Sequence, residues 1–141
     1  MDKRTVENKI ILEDAAALMA EGREVCITPS GCSMLPFIRG GRDSVRLRKN
    51  PTVAVGDMLL VRLSGPTYIL HRLIAKDGDR LTLKGDGNLV GTEHCTEADV
   101  LGTVTAIERG KRVVIPGNGL WWRRIPTIFR RYILAIYRRI I

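Results

Sequence analysis

The segment Gly31-Cys32-Ser33-Met34-Leu35-Pro36 sets a serine shortly after the apolar run Val25-Cys26-Ile27. Downstream come His71, in Tyr68-Ile69-Leu70-His71-Arg72-Leu73-Ile74, and Asp86, in Lys84-Gly85-Asp86-Gly87-Asn88. Ser, His and Asp at element edges are the parts that a hydrolytic nucleophile needs. A serine hydroxyl attacks poorly until a base within about 3 Å takes its proton, and histidine is the commonest base. The chain has only His71 and His94. His71 lies in a strand-like run that fixes it, whereas His94 lies in the loop-like Gly91-Thr92-Glu93-His94-Cys95. His71 is therefore the better base. Asp86 sits between glycines that permit a close backbone approach and is the candidate to orient the imidazole. Each residue also has a bland reading: Ser33 as a turn cap, His71 as a core residue, Asp86 as a turn former. Lys84 is the fallback base.

The elements that must position these residues are mostly short strands. Thr5 to Glu21 reads as a helix, with Val6, Ile10, Ile11, Ala15, Leu18 and Met19 on one face and Gly22 as its stop. Strands are expected at 23–28, 44–48, 57–63, 68–75, 80–84, 100–107 and 112–115, divided by Gly- and Pro-bearing turns. Ser30 to Gly41 is the loop that carries Ser33, and Gly85 to Thr96 reads as a polar loop. The fold class is mainly β, a coiled antiparallel sheet or barrel with an N-terminal helix and a C-terminal amphipathic helix. Pro116-Gly117-Asn118-Gly119 divides the chain into a domain over 1–117, with its β core at 24–115, and a tail over 118–141.

At 141 residues the chain suits one domain. Charge is distributed unevenly. Nine Lys or Arg and no acid follow Glu108, while residues 1–108 hold 14 basic and 15 acidic side chains. Five of the seven aromatics also fall in this last stretch. Pro126 suits the start of a helix on which Phe129, Tyr132, Ile133, Ile136 and Ile140 share one side and Arg130, Arg131, Arg138 and Arg139 the other. The pattern points to an anionic surface, lipid or nucleic acid. Lipid is favoured because no nucleic-acid motif accompanies the charges; the alternative is a helix that packs on the domain with its arginines solvated.

Three cysteines, Cys26, Cys32 and Cys95, without a CxxC argue against a disulfide framework and for a reducing compartment. Cys32 is a minor candidate for a second nucleophile. Cys32, His71, His94 and Cys95 lack familiar metal-ligand spacing, so neither metal nor cofactor is expected. The N-terminus has no signal-peptide h-region, and no apolar run reaches the ~18–20 residues of a membrane span. The expected location is the cytoplasm, with the tail peripheral on the inner face of the membrane.

Ser33-Met34-Leu35-Pro36, Val55-Gly56-Asp57, His71-Arg72-Leu73-Ile74, Lys84-Gly85-Asp86-Gly87-Asn88 and Val100-Leu101-Gly102, in this order, resemble the signal peptidase superfamily. That group includes the self-cleaving repressors of the SOS response. The resemblance covers about residues 24 to 108. It implies a coiled all-β fold, Ser33 as the nucleophile of a serine endopeptidase, and a polypeptide substrate with small residues before the cut. Most bacterial members and the repressors use a lysine base. The archaeal and endoplasmic-reticulum type uses histidine, and His71 resembles that type. Gly31 stands where that type has a serine, as in the repressors' Gly-x-Ser-Met, so oxyanion stabilisation falls to backbone N–H groups, Ser33's own among them. Asp86 matches the first of the histidine type's two aspartates. Thr92 occupies the second position with Glu93 beside it, leaving the orienting acid as Asp86, Glu93 or neither. The N-terminal helix does not resemble a membrane anchor. No Ala-Gly or Cys-Gly precedes the domain, so self-cleavage is not expected. The alternative function is a non-catalytic, β-rich peptide-binding module held to membrane or nucleic acid by its basic tail.

Overall fold

The computed structural model describes residues 3–5, 9–31, 33–64 and 67–140, with side chains described from Leu12 to Arg139 within those segments. Nine strands form one curled sheet: β1 (Lys3–Thr5), β2 (Val25–Thr28), β3 (Ser44–Arg48), β4 (Met58–Arg62), β5 (Tyr68–Asp77), β6 (Arg80–Lys84), β7 (Glu93–Thr96), β8 (Val100–Arg109) and β9 (Arg112–Val114). Their order is β1-β2-β3-β8-β4-β5-β6-β7, with β9 also on β8. Among the described residues only β1 runs parallel to its neighbour. Register shifts at Arg46/Leu47, Leu60/Val61 and Leu73/Ala75 interrupt the ladders, and such irregularities bend and twist a sheet. The structure is thus mainly β, as the alternation along the chain implies.

Both sheet faces are covered. Met58 and Leu60 of β4 join one core, with Ile27, Val45, Leu47, Met34 and Ile38. Leu59 and Val61 join the other, with Leu73, Leu81 and Leu83. This explains why β4 reads as a continuous apolar run rather than an alternating one. Helix α1 (Lys9–Ala20) packs on the first core through Leu12, Ala15 and Met19, spaced so that they share one face. Gly102 of β8 lies beneath it, and a Cβ there would collide with the Met19 sulfur. Gly22 ends the helix at φ +87°. Its N–H donates to Met19 O and that of Arg23 to Leu18 O, at 2.9 and 3.0 Å, a glycine-terminated helix end.

Two expectations need correction. The first helix begins at Lys9 rather than Thr5, because Lys3–Thr5 pairs instead with the free edge of β2. Unpaired edge N–H and C=O groups reward such an addition. Val6 lies outside the described residues. The second concerns residues 85–96, which contain a strand, β7, that pairs with β6 from Arg80↔Thr96 to Leu83↔Glu93. Residues 118–140 lie against the β domain, the packing alternative for the tail. They form α2 (Leu120–Arg124) and α3 (Thr127–Ile140). Trp122 and Leu134 are buried against Leu35, with Phe37, Leu89, Ile125 and Ile133 around them. The Trp122 indole donates to Asp86 O at 2.8 Å. Among the described residues no helix is long and apolar enough to cross a membrane.

Because Trp122 is nearly fully enclosed, Trp122→Ala should lower unfolding stability in urea by about 3–5 kcal/mol. A change near zero would mean that the C-terminal helices do not share the domain's core.

Candidate functional site

Ser33 stands at the lip of a loop that is anchored underneath. Met34, Leu35 and Ile38 are buried, and Phe37 and Ile38 both donate backbone N–H to Met34 O at 3.0 Å. The loop's two ends meet where Gly41 N–H donates to Pro29 O at 2.8 Å. Its backbone also crosses itself between Gly31 and Gly40, where a Cβ on Gly40 would overlap Gly31. Buried Asp43 clamps the exit: it accepts from Arg39 N–H at 2.9 Å and from Arg42 Nε at 2.7 Å, with Arg109 Nε 3.7 Å away. Burial by itself would raise the Asp43 carboxyl. The hydrogen bonds from Arg42 and Arg39, and the charges of Arg42 and Arg109, bring it below the ordinary aspartate range. Cys32 lies outside the described residues.

Ser33 and His71 line the same groove, a cavity of about 230 Å³. One wall is Pro29, Ser30 and Gly31; the other is Tyr68, Ile69, Leu70 and His71. Consecutive strand residues point to opposite faces. Four in a row therefore border the groove only if the strand presents its edge. The pairing agrees: β5 contacts β4 from Tyr68 to Arg72, but β6 pairs with it only from Arg72 onward. The backbone of Tyr68–His71 is thus left without a β6 partner on the groove side.

His71 is buried, and its Nδ1 is hydrogen-bonded to Glu93 Oε1. These residues come from β5 and β7, with β6 between them, and normally the β6 side chain opposite His71 would separate them. Continuing the β5–β6 register beyond Arg72↔Lys84 puts Gly85 opposite His71. Gly85 has no side chain, so the imidazole spans the vacant position. An ideal Cβ there would lie 3.1 Å from His71 Nε2 and 2.8 Å from the Asn88 amide, and would collide with Ser33 O. Nε2, the nitrogen not used by Glu93, and the Ser33 backbone oxygen therefore both lie beside Gly85. Ser33 O in turn accepts from Gly87 N–H at 2.8 Å, tying the serine loop to the turn after β6.

Asp86 is elsewhere. Both its oxygens are taken by Arg72: Nε donates at 2.9 and 3.0 Å and a terminal N–H₂ group at 2.7 Å. Burial pushes its carboxyl up, against the downward pull of Arg72. The acid that holds His71 is Glu93, one of the three alternatives, and not Asp86 as first choice had it. The physical reason is strand parity. Arg72 points to the opposite face from His71, and Asp86 follows Arg72.

The remaining candidates lie outside the groove. Lys84 donates to Leu89 O at 3.1 Å and borders a separate hollow with Asp86 and Trp122. His94 is near Thr82 and Thr92 hydroxyls, at 3.3 and 3.4 Å. The Cys95 thiol is pushed up to about 11, mainly by burial and then by the charge of Asp99, which leaves it protonated and poorly nucleophilic at neutral pH. Among the described residues no cluster of His, Cys, Asp and Glu is arranged to hold a metal. Sequence reading gave Arg72 and Trp122 no role of their own. A long basic side chain inside an apolar strand run is the signal that marks Arg72. No protein-family model matches the chain, and no curated protein matches it.

Two outcomes are expected. The Asp43 clamp is fully present above the ordinary aspartate pKa and is lost as pH falls through its lower folded value. Asp43→Asn should therefore cost about 2 kcal/mol in urea unfolding at pH 7, with the difference from wild type closing as the medium becomes more acid than that folded value. A difference that grows with acid would be the opposite of what the clamp requires. Gly85→Ala should displace His71, seen as a changed imidazole resonance, while a Gly→Ala change at exposed Gly78 leaves that resonance in place.

Proposed function

We propose that this chain is a serine endopeptidase of the signal-peptidase-like type, with Ser33 as nucleophile, His71 as general base and Glu93 as the residue positioning the base. The observation that carries this reading is one groove lined by Ser33 and His71, with the far imidazole nitrogen already engaged by a carboxylate. The bond from Glu93 favours the tautomer with the proton on Nδ1, leaving the Nε2 lone pair for the serine hydroxyl.

The polypeptide enters extended. It pairs with the unpartnered backbone of Tyr68–His71 and passes Pro29–Gly31 on the other wall, in the manner of β-strand addition. His71 Nε2 takes the proton from Ser33 Oγ as Oγ bonds to the scissile carbonyl carbon. The carbonyl electrons move onto oxygen, where backbone N–H groups including that of Ser33 meet the charge. Glu93 stabilises the imidazolium formed in this step. Collapse breaks the C–N bond, and the amine leaves with the proton from Nε2. Water then repeats the sequence on the acyl-serine. Asp86 serves the reaction at a distance, by fixing the turn whose Gly87 N–H holds Ser33 O.

The test is mass spectrometry of leader-type peptides incubated with the protein. Cleavage should fall by at least about 10³-fold in Ser33→Ala and His71→Ala. Glu93→Gln should lower kcat by roughly 10-fold to 10²-fold with little change in KM, since Glu93 acts through His71. Cleavage that persists in Ser33→Ala rejects the nucleophile. Peptide binding without any cleavage by wild type favours the non-catalytic module.

A further inference from the structure

Helix α3 does more than pack. Its residues divide into three sectors around the axis. Leu134, Ile133 and Arg130 turn toward the domain, with Leu134 fully buried. Ile128, Phe129, Tyr132 and Ile136 form a second sector that stays open, at 60, 58, 66 and 61 % exposure. Trp121 of α2 adds a further large open apolar surface, its ring edge against Phe37 with centroids 5.4 Å apart. Arg131 and Arg138 lie in the third sector, Arg138 reaching back to the domain; Arg139 falls within the open apolar sector, between Ile128 and Tyr132, and exposed Arg123 and Arg124 end α2. Packing on the domain has used only one part of the amphipathic helix, and the rest is an aromatic and aliphatic stripe that contains Arg139 and is flanked by Arg131.

We infer that this stripe is a docking face for an anionic lipid bilayer surface, with α3 lying in the headgroup plane. Its chemistry selects the occupant. Aromatic rings and isoleucines insert at the headgroup and acyl boundary, and the arginines among and beside them meet lipid phosphates. A second copy of the chain fits poorly, because a two-fold contact would set the same arginines against each other. No acid after Glu108 is present to relieve that repulsion. A nucleic acid would use the rings and the charges but gives Ile128 and Ile136 nothing to do.

The helix is fixed to the domain close to the groove. Arg138 donates to Gly87 O at 3.1 Å, and the N–H of the same Gly87 holds Ser33 O. Lipid docking therefore sets the height and tilt of the groove relative to the bilayer. A flexible tether would leave both free.

The test is flotation of the full chain with phosphatidylcholine vesicles, with and without added phosphatidylglycerol. The protein should float with the anionic vesicles and weaken as salt rises. Phe129→Glu with Ile136→Glu should lose roughly tenfold or more in vesicle affinity, with the urea unfolding midpoint unchanged as the check on folding. Arg131→Gln with Arg139→Gln, which keeps the apolar stripe, should lose the salt-dependent part of binding. Ser33→Ala should float like wild type, so the lipid face and the peptidase reading fail separately. Equal flotation of the Glu double variant, equal binding to neutral vesicles, absence of flotation, or a dimer that the Glu double variant dissociates would each overturn the inference.

Discussion

A guanidinium and a carboxylate with almost no access to water hold this structure together. Arg72 is completely buried and Asp86 nearly so. Removing both charges from water is costly, and the pair is tolerable only if the remaining polar atoms are also satisfied. They are. Besides Asp86, Arg72 donates to Gly56 O at 2.8 Å and to Gly117 O at 2.7 Å, and its guanidinium lies over the Phe37 ring. Asp86 presents its backbone oxygen to the Trp122 indole. Gly119, at φ +73°, lets the chain pass so close to the guanidinium that a Cβ would lie 2.7 Å from Arg72 Nε. One ion pair thus joins β5, the turn after β6, the loop before β4, the serine loop and the C-terminal helices. A lysine could not replace Arg72, since it lacks the planar fork that reaches a carboxylate and two carbonyls together.

His71 and Arg72 are neighbours on β5 that serve opposite faces. On one face Arg72 meets Asp86; on the other His71 meets Glu93. The first pair is closed off and rigid. The second borders a groove that Ser33 also lines, with one imidazole nitrogen committed to Glu93. The turn Gly85-Asp86-Gly87 couples the two: Gly85 makes room for the imidazole, Asp86 locks to the scaffold, and Gly87 fixes the serine backbone. Three consecutive residues therefore align an imidazole with a loop that is distant in sequence.

Much of this was readable from alternation and turn chemistry. β3 and β6 lie where Val45/Leu47 and Leu81/Leu83 alternate with polar residues, and the ends of β5 and β8 differ from expectation by only two residues. The site was partly legible. The groove brings together Ser33 and His71, as their types suggest, but the choice between Asp86 and Glu93 depends on which face of the sheet each occupies. A glycine-flanked turn does not encode that. Glu93 was hidden in β7, a four-residue strand whose formation depends on pairing with β6 rather than on its own propensity. The docking of the C-terminal helices was also obscured. Trp121 and Trp122 are adjacent and chemically alike, yet one is open and the other enclosed, a difference that only the packing of Leu35 and Phe37 decides.

The central claim is that the imidazole at position 71 activates the hydroxyl at position 33. Labelling with a peptidyl fluorophosphonate, followed by mass mapping of the adduct, tests it most directly, because the reagent reacts with a serine only as that serine becomes nucleophilic. The account predicts a single covalent adduct on Ser33, formed slowly or not at all when His71 is replaced by alanine. An adduct on another residue, or labelling of Ser33 at the same rate without His71, would contradict it.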